Sequence, residues 1–387
     1  MMAVIRLESL DGSGKLRERY QKVLRYALQD EEVKEFRNAR SFMDFLMQRA
    51  GSAQASGTAE TGRNQRAEVS ADRDEELNVL FAAELPMSGW NMQVLELNGF
   101  LHAHPHLMDG WCGAVLICGE SELFTKRTGR DIIFAANDAG CAFPGKPLCE
   151  GTGSLYNWRT MAHRMDVDVQ EAFLRGARFL VEKLKAFRMP EETEPDVLVI
   201  HASSRKTSNS MLLWEMIKEE LKKRNPKAST HEISLRNGAV VDCRGCSYEA
   251  CRHFGEHADC FYGGVMVEQV YPALLKCSSI MLVCPNYNDA VSANIAAFFN
   301  RLTALYSAHD FSEKKVYALV VSGYSGGDIV AEQVMGAMNC NKNFILPPHF
   351  CLLETANDPK SILQCEGIEK RAAQMAAEMA GSYCPSL

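Results

Sequence analysis

The segment from Val197 to Ser210 constrains this chain's fold more than any other. Four apolar residues, Val197-Leu-Val-Ile200, run straight into a loop of small, hydroxyl-bearing and basic residues. Leu212, Leu213, Met216, Ile217 and Leu221 follow at helical spacing. A buried strand that turns into a helix start in this way aims backbone N–H groups and the positive end of the helix dipole at one point. That arrangement is an anion cradle. The loop holds no glycine, so it is neither a dinucleotide fingerprint nor a Walker loop.

The same alternation continues to the end of the chain. Apolar runs predict strands at residues 197–201, 231–235, 279–284, 315–322 and 344–352. Helical periodicity places helices between and after them, near 208–223, 266–276, 291–307, 328–338 and 361–380. Strands that alternate with helices imply a doubly wound parallel sheet with helices on both faces. Such sheets bind ligands at the C-terminal ends of their strands.

Three loops fall at such ends. The first reads Ala202-Ser203-Ser204-Arg205-Lys206-Thr207-Ser208-Asn209-Ser210. It resembles the phosphate loop of the flavodoxin-like NAD(P)H-dependent FMN reductases and iron–sulfur flavoproteins, with Ala202 standing where that pattern has glycine. The resemblance covers about residues 196–387. It implies a five-stranded sheet in flavodoxin order and an FMN phosphate held by Ser203, Arg205, Ser208, Asn209 and Ser210. The second loop, Cys284-Pro285-Asn286-Tyr287-Asn288-Asp289, matches the place where the family lines the isoalloxazine ring. Pro285 rigidifies the strand exit, Tyr287 lines the ring, and Asn286 and Asn288 offer amide donors. The third, Ser322-Gly323-Tyr324-Ser325-Gly326-Gly327, matches a glycine-rich loop that flanks the ring. The resemblance further implies NADH or NADPH as electron donor and association into a homodimer or larger homo-oligomer.

A second cluster sits in the loop after the second of these strands. Cys243, Cys246, Cys251 and Cys260 fall within eighteen residues. Four such thiols suit a [4Fe–4S] cluster or a zinc ion, or remain free and redox-active. The iron–sulfur flavoproteins carry a compact four-cysteine motif here, with tighter spacing between the second and third cysteines. His253 and His257 lie beside it and read as ordinary loop histidines.

The first half is less regular. Strands are expected at residues 2–8, 77–83, 113–118 and 131–136, and helices at 16–28, 31–47 and 169–187. Residues 51–75 read as a mobile surface insertion, because only Val69 among them is a larger aliphatic. Residues 1–188 thus form an α/β domain, readable as a degenerate flavodoxin-like unit. It lacks a Ser-x-Arg phosphate loop and is assigned no FMN of its own. The run 150–154 reads as a turn, and His102, His104 and His106 as a solvated segment. Residues 189–195, with two prolines and three glutamates, form a linker.

Composition narrows the function. A net charge of −7 with no dense basic block argues against nucleic acid. No apolar run reaches the ~20 residues of a bilayer span, and no leader-like apolar segment opens the chain. Fourteen cysteines then read as reduced thiols in a cytoplasmic protein. The expected activity is FMN-dependent NAD(P)H oxidoreduction toward a small-molecule or protein acceptor, with no catalytic side-chain nucleophile. The alternatives are a flavin or iron–sulfur electron carrier and a thiol-based redox sensor.

Overall fold

The longest apolar runs of both halves fold into parallel strands. The computed structural model describes residues 2–57, 77–203, 208–236 and 240–381 of the 387. Two units separate between Arg188 and Met189.

The first unit runs β1 (Met2–Leu7), α1 (Gly14–Ala27), β2 (Val33–Phe36), α2 (Ala39–Gly57), β3 (Leu77–Leu85), α3 (Met92–Ala103), β4 (Trp111–Gly119), α4 (Thr125–Asp138), β5 (Leu148–Gly151), α5 (Arg159–Met165) and α6 (Val169–Ala186). Its sheet order among the described residues is β2-β1-β3-β4-β5. The second unit runs β6 (Asp196–His201), α7 (Asn209–Arg224), β7 (Ser229–Ser234), α8 (Tyr248–Glu256), α9 (Tyr271–Lys276), β8 (Ser279–Pro285), α10 (Ala293–Tyr306), β9 (Lys315–Ser322), α11 (Gly327–Met335), β10 (Cys351–Thr355) and α12 (Ile368–Met379). Its order is β10-β9-β8-β6-β7. Both orders are that of flavodoxin, in which the first strand lies between the second and third. The degenerate reading of the first unit is therefore right in topology. The central strands β4 and β9 are buried along their whole length, as a sheet covered on both faces requires.

Four sequence expectations need correction. Residues 31–47 do not form one helix. Val33–Phe36 pairs with β1 as an edge strand before α2 begins. Its two central residues are charged and exposed, so alternation was too short to register. Residues 131–136 lie inside α4, where Ile132, Ile133 and the alanines are buried. The β-branched pair there serves helix packing and not a strand. Residues 51–57 continue α2, and the rest of the expected insertion, through 75, falls outside the described residues. In the second unit the last strand begins seven residues later than expected. Ile345 makes only an isolated bridge to Lys315, and continuous pairing with β9 starts at Cys351.

Candidate functional site

The C-terminal ends of β6, β8, β9 and β10 open onto one cleft of about 590 Å³. Ser208, Asn209 and Ser210 approach it from the start of α7. Residues 285–289 enter from β8, and Val321 with residues 323–325 from β9. A fourth wall, Ala356 and Asn357 after β10, was not expected from the sequence. The Thr-Ala-Asn-Asp-Pro turn at 355–359 was its signal, hidden because the strand before it had been placed too early.

The start of α7 has the chemistry of an anion site. Ser208 caps the helix, its Oγ accepting from the Met211 N–H at 3.3 Å, and its hydroxyl lies 3.0 Å from that of Ser203. The N–H groups of Asn209 and Ser210 open the helix with no intrahelical acceptor. Arg205 lies outside the described residues. Asn209 turns out to be a brace. Its side-chain amide donates to the carbonyls of Ala356 and Asp358, both at 2.9 Å, which ties the helix start to the fourth wall. Its Oδ1 is buried without a partner among the described residues.

The β8 and β9 loops hold each other in place. Asn286 Nδ2 donates to the Ser325 carbonyl at 2.8 Å and to Asp289 Oδ1 at 3.3 Å. Its amide hydrogens therefore serve the loops and are not free for a ring edge, as the sequence reading had them. Tyr287 and Ala290 exchange backbone hydrogen bonds around Asn288 and Asp289, both left-handed. Gly326 caps α11 at φ +82°, and a Cβ there would lie 1.9 Å from Asp289 Oδ1. Ser322, Gly326 and Gly327 stand behind the cleft wall and shape it. Tyr287 and Tyr324 stand at the rim, 59% and 78% exposed. Asn357 donates to the Tyr324 hydroxyl at 3.2 Å.

A planar, phosphorylated ligand fits this donor set. The cleft is open, rimmed by two aromatic rings, and backed by a capped helix start. The buried Asn209 Oδ1, Asn286 Oδ1 and Ser322 Oγ find no partner among the described residues. Residues 195–358 match the family model described as NADPH-dependent FMN reductase. The match lies wholly within the second unit. An iron–sulfur flavoprotein from Archaeoglobus fulgidus is 29% identical to the chain over 143 residues, which are 36% of this chain and 69% of that protein. Among solved structures, an azoreductase from Bacillus anthracis aligns at 14% identity with a TM-score of 0.35, over 49% of this chain and all of that one. An NAD(P)H:quinone oxidoreductase from Methanothermobacter marburgensis aligns at 12% identity with a TM-score of 0.37, over 50% of this chain and 98% of that one.

The second unit also gathers its four loop cysteines. Cys243, Cys246, Cys251 and Cys260 line one mainly apolar cavity of about 290 Å³ with Phe254, Phe261 and Tyr262. Burial raises the Cys251 thiol above its ordinary range, and the neighbouring thiols of Cys243, Cys260 and Cys246 raise it further. The helix α8 between these cysteines was not expected from the sequence. It packs so tightly on α10 that a Cβ at Gly255 would lie 2.0 Å from the Ala304 carbonyl oxygen. His253 and His257 stay outside the cavity lining, and His257 Nδ1 pairs with the His253 carbonyl at 3.0 Å.

The corresponding edge of the first unit is filled from within. Strand registers align Leu7 with Ala83 and His201 with Val283, so Glu84 occupies the place of Cys284. Glu84 is fully buried and accepts from the Ser9 N–H at 3.0 Å, just after β1. Arg17 adds two more donors at 3.1 and 3.0 Å. Glu120 accepts from the Met87 N–H, and Glu122 from the Ser154 N–H. The Ser154 hydrogen bonds hold the Glu122 carboxyl below the ordinary carboxylate range. The run 150–154 is a strand end and a turn whose N–H at Ser154 already has an anion. His102 closes α3 and lies 2.9 Å from Asp138. No described helix is long and apolar enough to cross a membrane.

Proposed function

We propose that the second unit binds FMN in the β6–β10 cleft and works as an NAD(P)H oxidoreductase, passing electrons on to a small-molecule or protein acceptor. The convergence of four strand-end loops on one cleft, within the segment that matches the FMN reductase family, carries this reading. Bound FMN supplies the redox chemistry, taking up electron pairs and releasing them singly or together. The protein binds and orients. Ser203, Ser208 and the N–H groups of Asn209 and Ser210 hold the phosphate, with Arg205 adding charge. The braced loops at 285–290 and 323–326 fix the ring's position. Tyr287 and Tyr324 are exposed enough to move aside for a nicotinamide and to cover the ring against water afterwards. No acid–base dyad would be needed, because hydride transfer to bound FMN would ask of the protein only that it position the two reactants. Anaerobic mixing with excess NADH or NADPH tests this reading: the flavin absorbance bleaches within seconds. If neither nicotinamide bleaches it while dithionite does, the reading is wrong and the unit is an electron carrier.

The four thiols lining one apolar cavity favour a second, compatible reading, in which they hold a [4Fe–4S] cluster that relays electrons. The relative from Archaeoglobus fulgidus, named an iron–sulfur flavoprotein, supports it. The loop that lines the flavin cleft leads directly into α10, and Asn300 on that helix reaches the cysteine cavity about 12 Å further along. Iron and sulfide analysis of anaerobically purified protein decides it. About four of each per chain support the cluster, stoichiometric zinc replaces it with a structural site, and neither metal leaves free thiols.

A further inference from the structure

The cysteine cavity contains a cation that no carboxylate among the described residues pairs with. Arg301, on α10, is 3% exposed and lines the cavity together with the four cysteines. Its Nη2 donates to the Gly263 carbonyl at 2.8 Å, and its Nη1 reaches the Val241 carbonyl at 3.5 Å. Its Nε is buried with no partner. No carboxylate among the described residues forms an ion pair with it. A buried guanidinium left without a counter-charge is strongly unfavourable. It persists where something else in the site carries negative charge.

Besides the phenols of Tyr248 and Tyr262, the ionisable side chains that line this cavity with Arg301 among the described residues are the four cysteines. As thiols they are neutral and give the cation nothing. As thiolates around a metal centre they give it a counter-charge at once, because ligation requires deprotonated sulfur. A thiolate-ligated iron–sulfur cube is a net anion and gains one further negative charge on reduction. The two loop carbonyls fix the guanidinium from either end of the cysteine segment, two residues before Cys243 and three residues after Cys260. Its position is therefore set by the same segment that carries the ligands.

We propose that Arg301 is the built-in counter-cation of the four-cysteine centre and raises its reduction potential by stabilising the more negative, reduced form. This inference rests on the cluster reading given above. It requires no covalent step, since one electron enters the centre and leaves it unchanged in composition.

Two variants separate charge from structure. Arg301→Gln keeps an amide donor for the loop carbonyls and removes the charge. Arg301→Lys keeps the charge and changes the shape. Each is purified anaerobically, its iron and sulfide are counted, and the centre is titrated with dithionite in the presence of redox mediators. Arg301→Gln is expected to keep its iron and sulfide while the reduced-to-oxidised equilibrium falls about tenfold, or ~59 mV for a one-electron couple. Arg301→Lys is expected to stay near the wild-type potential. Full metal content with an unchanged potential in Arg301→Gln overturns the role of Arg301 and leaves the cluster reading standing. Equal losses in both variants assign Arg301 to structure alone and also overturn it. Wild-type protein without iron or sulfide overturns the cluster reading and this inference with it. If Arg301→Gln cannot be loaded at all, Arg301→Lys decides: wild-type loading and potential support a charge requirement, and failure to load refutes it.

Discussion

Gly326 offers the sharpest test of how the flavin cleft is held. Its φ of +82° is a left-handed conformation, which costs an L-residue about 1–2 kcal/mol. An alanine Cβ would also lie 1.9 Å from Asp289 Oδ1 and 3.1 Å from Asn286 Nδ2. Clearing it means displacing Asp289 from its 3.3 Å contact with Asn286, worth about 1 kcal/mol. Gly326→Ala should therefore strain the site by about 2–3 kcal/mol. The strain is relieved by moving the two loops that line the cleft, and FMN binding must restore them. The FMN dissociation constant should then rise about thirty- to a hundredfold, read by quenching of flavin fluorescence on titration with apoprotein. Asp289→Gly removes the collision and suits the left-handed φ of 57° at that position. In the Asp289→Gly background the same change should weaken binding by only the backbone part, giving a coupling of about 1 kcal/mol in the double-mutant cycle. Wild-type FMN affinity and thermal stability in Gly326→Ala would refute the picture of two mutually braced loops. The same geometry makes Gly326 a poor probe of nicotinamide access alone, since any larger side chain there disturbs flavin binding as well.

Other expectations follow from single contacts. Arg205→Ala should weaken FMN binding about ten- to a hundredfold through loss of a charge-assisted phosphate contact, and unchanged affinity would remove Arg205 from the site. Glu84→Ala removes a fully buried acceptor of three hydrogen bonds and should destabilise the first unit by about 3 kcal/mol, lowering its melting temperature roughly 6–12 °C; an unchanged melting curve contradicts its role. Burial holds His201 below the ordinary histidine value of 6.5, so folded His201 resists a proton that the unfolded chain accepts. Its contribution is complete above that value and is lost as pH falls through it toward the lower folded value. The second unit should unfold more easily in that window, and His201→Gln should flatten the dependence in denaturant titrations.

The second unit was largely legible because each strand end carries its own chemical signature. Apolar Val197–Ile200 followed by hydroxyls, Pro285 at a strand exit and paired glycines at 326–327 are local signals, and the sheet order brings them to one edge. What stayed hidden depends on contacts between distant residues. Asn209 and Asn286 read as ligand donors because the sequence does not reveal that their amides meet Ala356, Asp358 and Ser325. Glu84 was left off the end of its strand because a carboxylate inside an apolar run reads as the point where burial stops. Only its meeting with Ser9 and Arg17 makes burial affordable. Arg301 falls inside the helix expected at 291–307 with no local signal of its own, and the cavity that surrounds it requires α8, a helix the cysteine spacing did not announce.

The carboxylates of the first unit have a thermodynamic consequence for the chain as a whole. Glu84, Glu120 and Glu122 give the N–H groups of Ser9, Met87 and Ser154 carboxylate acceptors from within the first unit. Among the described residues the second unit leaves Asn209 Oδ1, Asn286 Oδ1 and Ser322 Oγ unsatisfied. Ligand linkage then acts on one half only: at a free FMN concentration a hundred times its dissociation constant, the second unit gains about 2.7 kcal/mol against unfolding, and the first gains nothing. In a calorimeter, added flavin should pull apart two transitions within a single polypeptide, moving one upward and leaving the other where it was. The first half satisfies these loop groups with its own carboxylates, whereas the polar atoms at the cleft of the second half are left for a ligand to meet.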